Sequence, residues 1–239
     1  MCSSDLRKIK IIVQFSGGKD SLASLLWAVN ESGYKKENIE AVFCDTGWEH
    51  ELTYQHINEV CQKLDVKLVT LKSKKYDGMV DLAKQKGRFP STKARFCTEE
   101  LKTKPMIDYI LDELDCNVIV IQGIRADESN SRSKMSAHCD YFKYYFEPYK
   151  LNKKGKKLFH TYRKYDVMEF KQRNISDIIR PVFTWSGNDV MAYILNAGLK
   201  PNPLYYMGSK RVGCYPCIMC SHGEIKAIAS NSPEYAERL

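Results

Sequence analysis

Ser16-Gly17-Gly18-Lys19-Asp20-Ser21 is the stretch that most constrains what this chain can fold into. The apolar run Ile11-Ile12-Val13 precedes it, and Leu22, Leu25, Leu26 and Val29 follow at helical spacing, so it reads as the turn between a buried strand and an amphipathic helix. Such a turn traps anions. Gly17 and Gly18 allow a tight bend and close approach of backbone N–H groups, and the unpaired amides at the positive end of the following helix favour phosphate. Ser16 and Ser21 add hydroxyl donors, and Lys19 adds a mobile cation. The alternative, a plain strand-to-helix turn capped by serine, would need neither the glycine pair nor the lysine. The spacing is also not that of the P-loop, whose glycines are further apart and end in Lys-Ser/Thr.

A chain of 239 residues can bury a sizeable core. One domain is expected over residues 1–239, with an insert at 139–176 and a cysteine-bearing tail at 201–239. No apolar run approaches a membrane span, and Met1 to Lys8 lacks the hydrophobic stretch of a signal peptide, so the expectation is a cytoplasmic protein with no membrane partner. Nine cysteines in that compartment read as metal or redox ligands where clustered and as small hydrophobes where scattered. Cys44, Cys61 and Cys116 fall in or beside apolar stretches and are assigned to packing. The net charge of +8 suits an anionic partner without choosing between a nucleotide and a polymer.

Short β-rich runs at Lys10 to Phe15, Ile39 to Phe43, Val66 to Leu71, Asn117 to Gln122 and Ile178 to Val182 are each followed by a helical pattern. That alternation predicts an α/β fold, a mostly parallel sheet with helices on both faces and ligands beyond the carboxyl ends of the strands. Asp45, at the second such end, either coordinates magnesium on phosphates or makes an Asp-turn with Gly47. His56 lies on an apolar helix face and is read as core. Thr98 is expected to cap a helix through Leu101, Ile107, Ile110 and Leu114, which puts Cys97 where the helix dipole favours thiolate. Beyond the fourth strand, Arg125 and Arg132 are candidate forks for phosphate or sulfate, the alternative being a solvated loop with incidental charges.

Tyr141 to Ile175 interrupts the alternation with ten Lys/Arg against three Asp/Glu, an excess of seven. Aromatic residues flank Asn152-Lys153-Lys154-Gly155-Lys156-Lys157, which predicts an inserted β-hairpin with a basic tip. Lysines alternating with Tyr144, Tyr145, Tyr149, Phe159 and Tyr162 suit a nucleic-acid backbone with stacked bases. The same pattern also suits a hairpin packed on the sheet with its lysines in water. Further on, Ser186 to Asp189 supplies a capping box. Near the end, Cys214-x2-Cys217-x2-Cys220 turns three thiolates toward one point, a spacing used for iron–sulfur clusters, with Cys97 as the natural fourth ligand. Four thiolates suit a [4Fe–4S] cluster, and zinc accepts them equally well.

The loop Ser16 to Ser21 resembles the PP-loop of the ATP pyrophosphatases. Together with Asp45-Thr46-Gly47, Phe96-Cys97, Lys102, Gly123 to Ser129, Asn202-Pro203-Leu204 and Gly213 to Cys217, in that order, it resembles the sulfonucleotide (phosphoadenosine phosphosulfate) reductase family. The resemblance covers nearly the whole chain apart from the basic insert. It implies a Rossmann-like fold, an adenine nucleotide (ATP or a phosphosulfate) with Mg2+, and cluster cysteines at Cys97, Cys214 and Cys217. Lys19, Asp20 and Arg125 are the expected catalytic residues; Ser16, Gly17, Gly18, Ser21, Asp45, Gly123 and Arg132 complete the nucleotide site. Two departures stand out. Phe96-Cys97 replaces the cysteine pair of cluster-bearing members, with Cys220 as the substitute ligand, and Ser221 to Leu239 lacks the thiol with which the reductases attack sulfur. Three readings follow: ATP-dependent adenylylation with sulfur transfer from a donor protein to a nucleic acid or small acceptor, as in thiolation and DNA phosphorothioation enzymes; reduction of a phosphosulfate nucleotide to sulfite; or a non-catalytic iron–sulfur binding module.

Overall fold

The computed structural model describes residues 8–238; Met1 to Arg7, on which the expectation of no leader largely rests, lie outside them. Five of the expected strands form, at β1 (Ile9–Gln14), β2 (Ile39–Cys44), β3 (Lys67–Leu71), β4 (Asn117–Gln122) and β8 (Ser176–Ile179). Their β-branched residues suit a pleated, buried surface. They lie in the order β3-β2-β1-β4-β8-β5, and every pair is parallel except the short edge strand β5 (His138–Asp140) on β8. β5 has no counterpart among the sequence expectations, because three half-exposed residues carry no period.

Side chains alternate across the sheet. Ile11 and Val13 enter one core, against α1 (Lys19–Asn30), α2 (Glu51–Leu64) and α8 (Gly187–Asn196), while Ile12 enters the other, against α5 (Lys104–Glu113) and α7 (Lys164–Arg173). Helices therefore cover both faces. α1 is buried on nearly all sides because α8 covers the flank that the sheet leaves open. The capping box of α8 forms as expected, with Ser186 and Asp189 each accepting the other's amide. No helix among the described residues is long and apolar enough to cross a membrane.

Two expectations need correction. Thr98 is not a cap: winding starts after Arg95, runs through Phe96–Thr98, continues as a π-helical turn over Glu99–Thr103 and passes directly into α5. Cys97 thus lies in the first turn, inside the helix rather than ahead of it. The insert is also only partly a hairpin. Strands β6 (Lys150–Leu151) and β7 (Lys157–Leu158) pair at the predicted place, and Asn152 Oδ1 closes the tip by accepting the amides of Lys154 and Lys156, each at 2.9 Å. Much of the rest is helical, in α6 (Lys143–Phe146) and α7. α7 buries just Val167 and Phe170 in an otherwise polar stretch, too few anchors for a visible period. Tyr162 and Arg163 fasten the insert to α5, the former donating to Asp108 at 2.9 Å and the latter pairing with Asp112 at 2.7 Å.

The strand order reverses direction beside β1: the chain goes outward to β2 and β3, then returns to β4 on the other side. A crevice opens at such a switch point. Gly123, just beyond β4, closes it tightly. A Cβ there would lie 2.4 Å from the Ser21 nitrogen and 2.5 Å from the Asp20 carbonyl group, all backbone atoms that no side-chain rotation can move aside. Gly123→Ala is therefore expected to cost about 2 kcal/mol or more, as overpacking does, read as a lower urea midpoint with an unchanged slope.

Candidate functional site

Gly17 (φ +75°) makes the bend after β1, and Gly18 is the N-cap of α1. Each glycine faces a different neighbour. Gly17 abuts Thr53 and Ile57 of α2, where a Cβ would meet the Thr53 methyl at 3.0 Å and the Ile57 Cγ1 methylene at 3.2 Å. Gly18 faces Tyr205 and the Val212 carbonyl, 3.2 Å from where its Cβ would be. The Ser21 hydroxyl donates to the Gly18 carbonyl (2.9 Å) and accepts the Ser16 amide (3.3 Å), which locks the bend. Gly18 offers no side-chain oxygen to cap the helix, so the first-turn amides need partners from elsewhere. One comes from far along the chain: the Lys19 amide donates to the Tyr205 hydroxyl at 2.9 Å, and Lys19 Nζ stands 5.4 Å from the centre of that ring. Burial pushes the Tyr205 phenol above its ordinary range, so the hydroxyl keeps its proton and can donate onward.

Arg125, beyond β4, is nearly buried. Its Nε donates to Asp20 at 2.6 Å and its Nη1 to Asp127. Arg132 pairs with Glu128 in the same loop. Both forks are thus held by carboxylates next to the glycine bend, and Asp20 is shared between Arg125 and Lys19, the latter at 3.5 Å.

The turn after β2 forms a second centre. Asp45 makes the Asp-turn, accepting the Gly47 amide (2.9 Å), and it also accepts from the Tyr54 hydroxyl (2.7 Å) and pairs with Lys72 (3.2 Å). Burial works against its charge, yet these three donors hold its carboxyl below the usual range. Glu49 is buried and saturated, accepting the Thr46 and Trp48 amides at 3.1 Å and the Thr46 hydroxyl at 2.7 Å. Against it lies the cysteine segment. Glu49 and Cys214 form a β-bridge, the Tyr215 amide donates to the Trp48 carbonyl at 2.6 Å, and Trp48 Nε1 donates to the Pro216 carbonyl at 3.1 Å. The Cys214 thiol lies 3.7 Å from both Glu49 Oε1 and Thr46 Oγ1. Burial raises its pKa, while the Lys102 ammonium beside it pulls the other way; Lys102 in turn is held charged chiefly by Cys214, then by Glu49.

Cys97 and Cys214 share one apolar cluster with Trp48, Phe96 and Ile218, whereas Cys220 packs with Leu204, Tyr215 and Ile228. The Cys220 amide donates to the Cys217 carbonyl at 2.9 Å, so these two close one turn. The donor chemistry suits a thiolate-bound group: soft ligands, a dry wall, and the Lys102 cation to offset thiolate charge. Among the described residues, however, no three His, Cys, Asp or Glu side chains are gathered as a metal cage. Cys61 is in the first core and Cys44 borders the second; burial pushes each thiol up to about 12, in keeping with packing. His56 is likewise buried.

The segment Asn202 to Cys214 links the two centres. Asn202 is fully buried, caps the turn Pro203–Tyr205 by accepting the Leu204 amide (3.0 Å), and so sets Tyr205 against the glycine loop. Tyr205 and Glu49 were not singled out from the sequence as site residues, and Lys102 entered only as a motif letter. Each acts across a long stretch of chain, and local spacing holds no trace of that. Tyr205→Phe removes the acceptor of the Lys19 amide. A loss of about 1–2 kcal/mol is expected without ligand, shrinking when pyrophosphate takes over the amide; thermal melts with and without pyrophosphate read the difference.

Comparisons with known proteins fit this arrangement. Residues 10–220 match the phosphoadenosine phosphosulfate reductase domain. An uncharacterized protein of Escherichia phage 186 is 32% identical over 95% of this chain and 72% of its own length. An uncharacterized protein of Methanocaldococcus jannaschii is 31% identical over 97% of this chain, which spans only 41% of that relative. Among solved structures, phosphoadenylyl-sulfate reductase from Candida auris is similar at TM-score 0.54 and 17% identity, over 89% of this chain and 84% of that one. A U34-tRNA thiolase from Methanococcus maripaludis, solved with its [4Fe-4S] cluster, is similar at TM-score 0.52 and 17% identity, over 97% and 67%. At those identities the solved structures speak for the fold alone. With the family match spanning most of the sequence and the glycine loop at the switch point of a mostly parallel sheet, this chain belongs to the phosphoadenosine phosphosulfate reductase domain family, within the PP-loop superfamily.

Proposed function

We propose that this chain is an enzyme that binds ATP with magnesium at the glycine loop, adenylylates an acceptor oxygen with release of pyrophosphate, and so prepares the acceptor for sulfur. The observation that carries the reading is the bend itself: first-turn amides, two serine hydroxyls and Lys19 gathered at a switch point. The acceptor oxygen attacks the α-phosphorus, the bond to the bridging oxygen breaks, and its electron pair leaves with pyrophosphate. Lys19 and the amides stabilise the charge that grows on the leaving group. Ser16, Ser21 and the Gly17-Gly18 backbone hold it, while Asp20 orients Arg125, and Arg125, Arg132 and Gly123 border the α-phosphate. A sulfur nucleophile from a donor protein then displaces AMP.

Charge balance supports the need for magnesium. Lys19, Arg125 and Arg132 are already opposed by Asp20, Asp127 and Glu128, so a polyphosphate requires another cation. Asp45 Oδ2 is the proposed oxygen for it, since its Lys72 partner is mostly exposed and can yield. Cys97, Cys214, Cys217 and Cys220 are the thiols that would hold a [4Fe–4S] cluster, with zinc as the alternative. Bound there, a cluster would supply a site for sulfur.

The family match favours a second reading, reduction of a phosphosulfate nucleotide to sulfite, with a thiol from outside Ser221 to Leu239. Anaerobically purified protein given ATP, magnesium and an acceptor is expected to release pyrophosphate; sulfite from phosphosulfate and a thiol reductant would favour the second reading, and neither product would favour a binding module. Lys19→Ala is expected to weaken ATP binding at least tenfold, as loss of a charged hydrogen bond does, in a calorimetric titration. Iron and acid-labile sulfide are expected to copurify with the protein, and zinc in their place would make the cysteines structural.

A further inference from the structure

The structure divides nine of the ten Lys and Arg residues of the insert, all but Lys164, into two sets. Lys143, Arg163, Lys171 and Arg173 pair with Glu147, with Asp108, Asp112 and Asp166, with Asp140, and with Glu169. These hold the insert together and fasten it to α5. Lys150, Lys153, Lys154, Lys156 and Lys157 are all exposed and have no carboxylate partner among the described residues. Unopposed charge at that density does nothing for folding. Next to it, Tyr144, Tyr149 and His160 form an aromatic group, with ring centres 4.9 to 6.4 Å apart. Tyr144 and Tyr149 remain 45% and 46% exposed, so ring surface is available for stacking.

This arm also borders the candidate site. Tyr162 lies under Lys104, 5.2 Å from ring centre to Nζ, and both His160 and Tyr145 feel the charge of Glu99. Glu99 and Lys104 belong to the helical run that carries Cys97 and Lys102. A strand laid along the lysines and over the rings would therefore lead toward the thiol centre.

We propose that the arm Tyr144 to His160 docks single-stranded nucleic acid and that this polymer is the acceptor. The lysines take the phosphates and the rings take unpaired bases; a duplex conceals its base faces and would use the lysines alone. The identity of the acceptor rests on the adenylylation reading, but the docking does not, and the two are measured separately.

Binding of fluorescent 20-nucleotide single-stranded DNA and RNA to the full chain is followed by anisotropy across a salt series. Replacing Lys153, Lys154, Lys156 and Lys157 by alanine is expected to weaken binding at least tenfold and to flatten the log–log salt slope by about 3. Tyr149→Ala is expected to weaken single-strand binding with the slope unchanged, and to leave duplex binding as it was. ATP binding should be intact in the lysine variant, which shows that the fold is retained and separates failure of docking from failure of the nucleotide site. Undetectable binding at low salt, an unchanged slope in the lysine variant, or equal affinity for heparin or anionic lipid vesicles would overturn the proposal.

Discussion

The contact on which the rest depends is backbone against backbone, where the end of β4 meets the first turn of α1 at Gly123. With no side chain between them, the Asp20 side chain reaches Arg125 at 2.6 Å and the two strands flanking the switch point are clamped together above the sheet. Burying that ion pair is costly unless its remaining groups find partners, and they do: Asp127 takes the other arm of the guanidinium and Lys19 approaches the other carboxylate oxygen. The loop geometry is thereby set by groups that also determine its charge.

The glycine loop is consequently close to neutral before any ligand arrives. Its pull on an anion comes from helix amides and hydroxyls more than from net charge, which favours a ligand of defined shape over any polyanion. The insert is built on the opposite principle. Its lysines are exposed and unopposed, a diffuse field well suited to a long, flexible polymer. On the function proposed above, one chain carries a selective anion site and an unselective one.

Periodicity made the sheet legible. Ile11, Val13 and Ile12 alternate between two cores as their spacing implies, and each expected strand is found, with the last, expected over Ile178 to Val182, lying earlier at Ser176–Ile179. The glycine bend was equally clear, since its conformation is dictated by the residues that form it. What escaped was everything decided by contacts between distant segments. Tyr205 is 186 residues from the amide it satisfies. Glu49, unmarked by its local sequence, is the buried acceptor that holds the Thr46 turn against Cys214. Thr98 had the right chemistry for a cap, yet burial of Cys97 and Leu101 in one cluster extends the winding past it. The packing that places Cys97 and Cys214 beside one apolar cluster and Cys220 beside another is likewise not readable from the cysteine spacing.

The wider winding over Glu99–Thr103 has a geometrical effect that a regular helix would lack. Its hydrogen bonds reach five residues back, so the turn holds one residue more than an α turn would, and Lys102 lies within it. Removing that residue to restore α-winding would rotate the helix on one side of the turn by about 100° relative to the other, enough to part the Lys102 ammonium from Cys214. The extra residue in that turn acts as a shim: it sets the rotation at which Lys102 meets Cys214 across the cysteine segment, so the length of this segment matters as much as its composition.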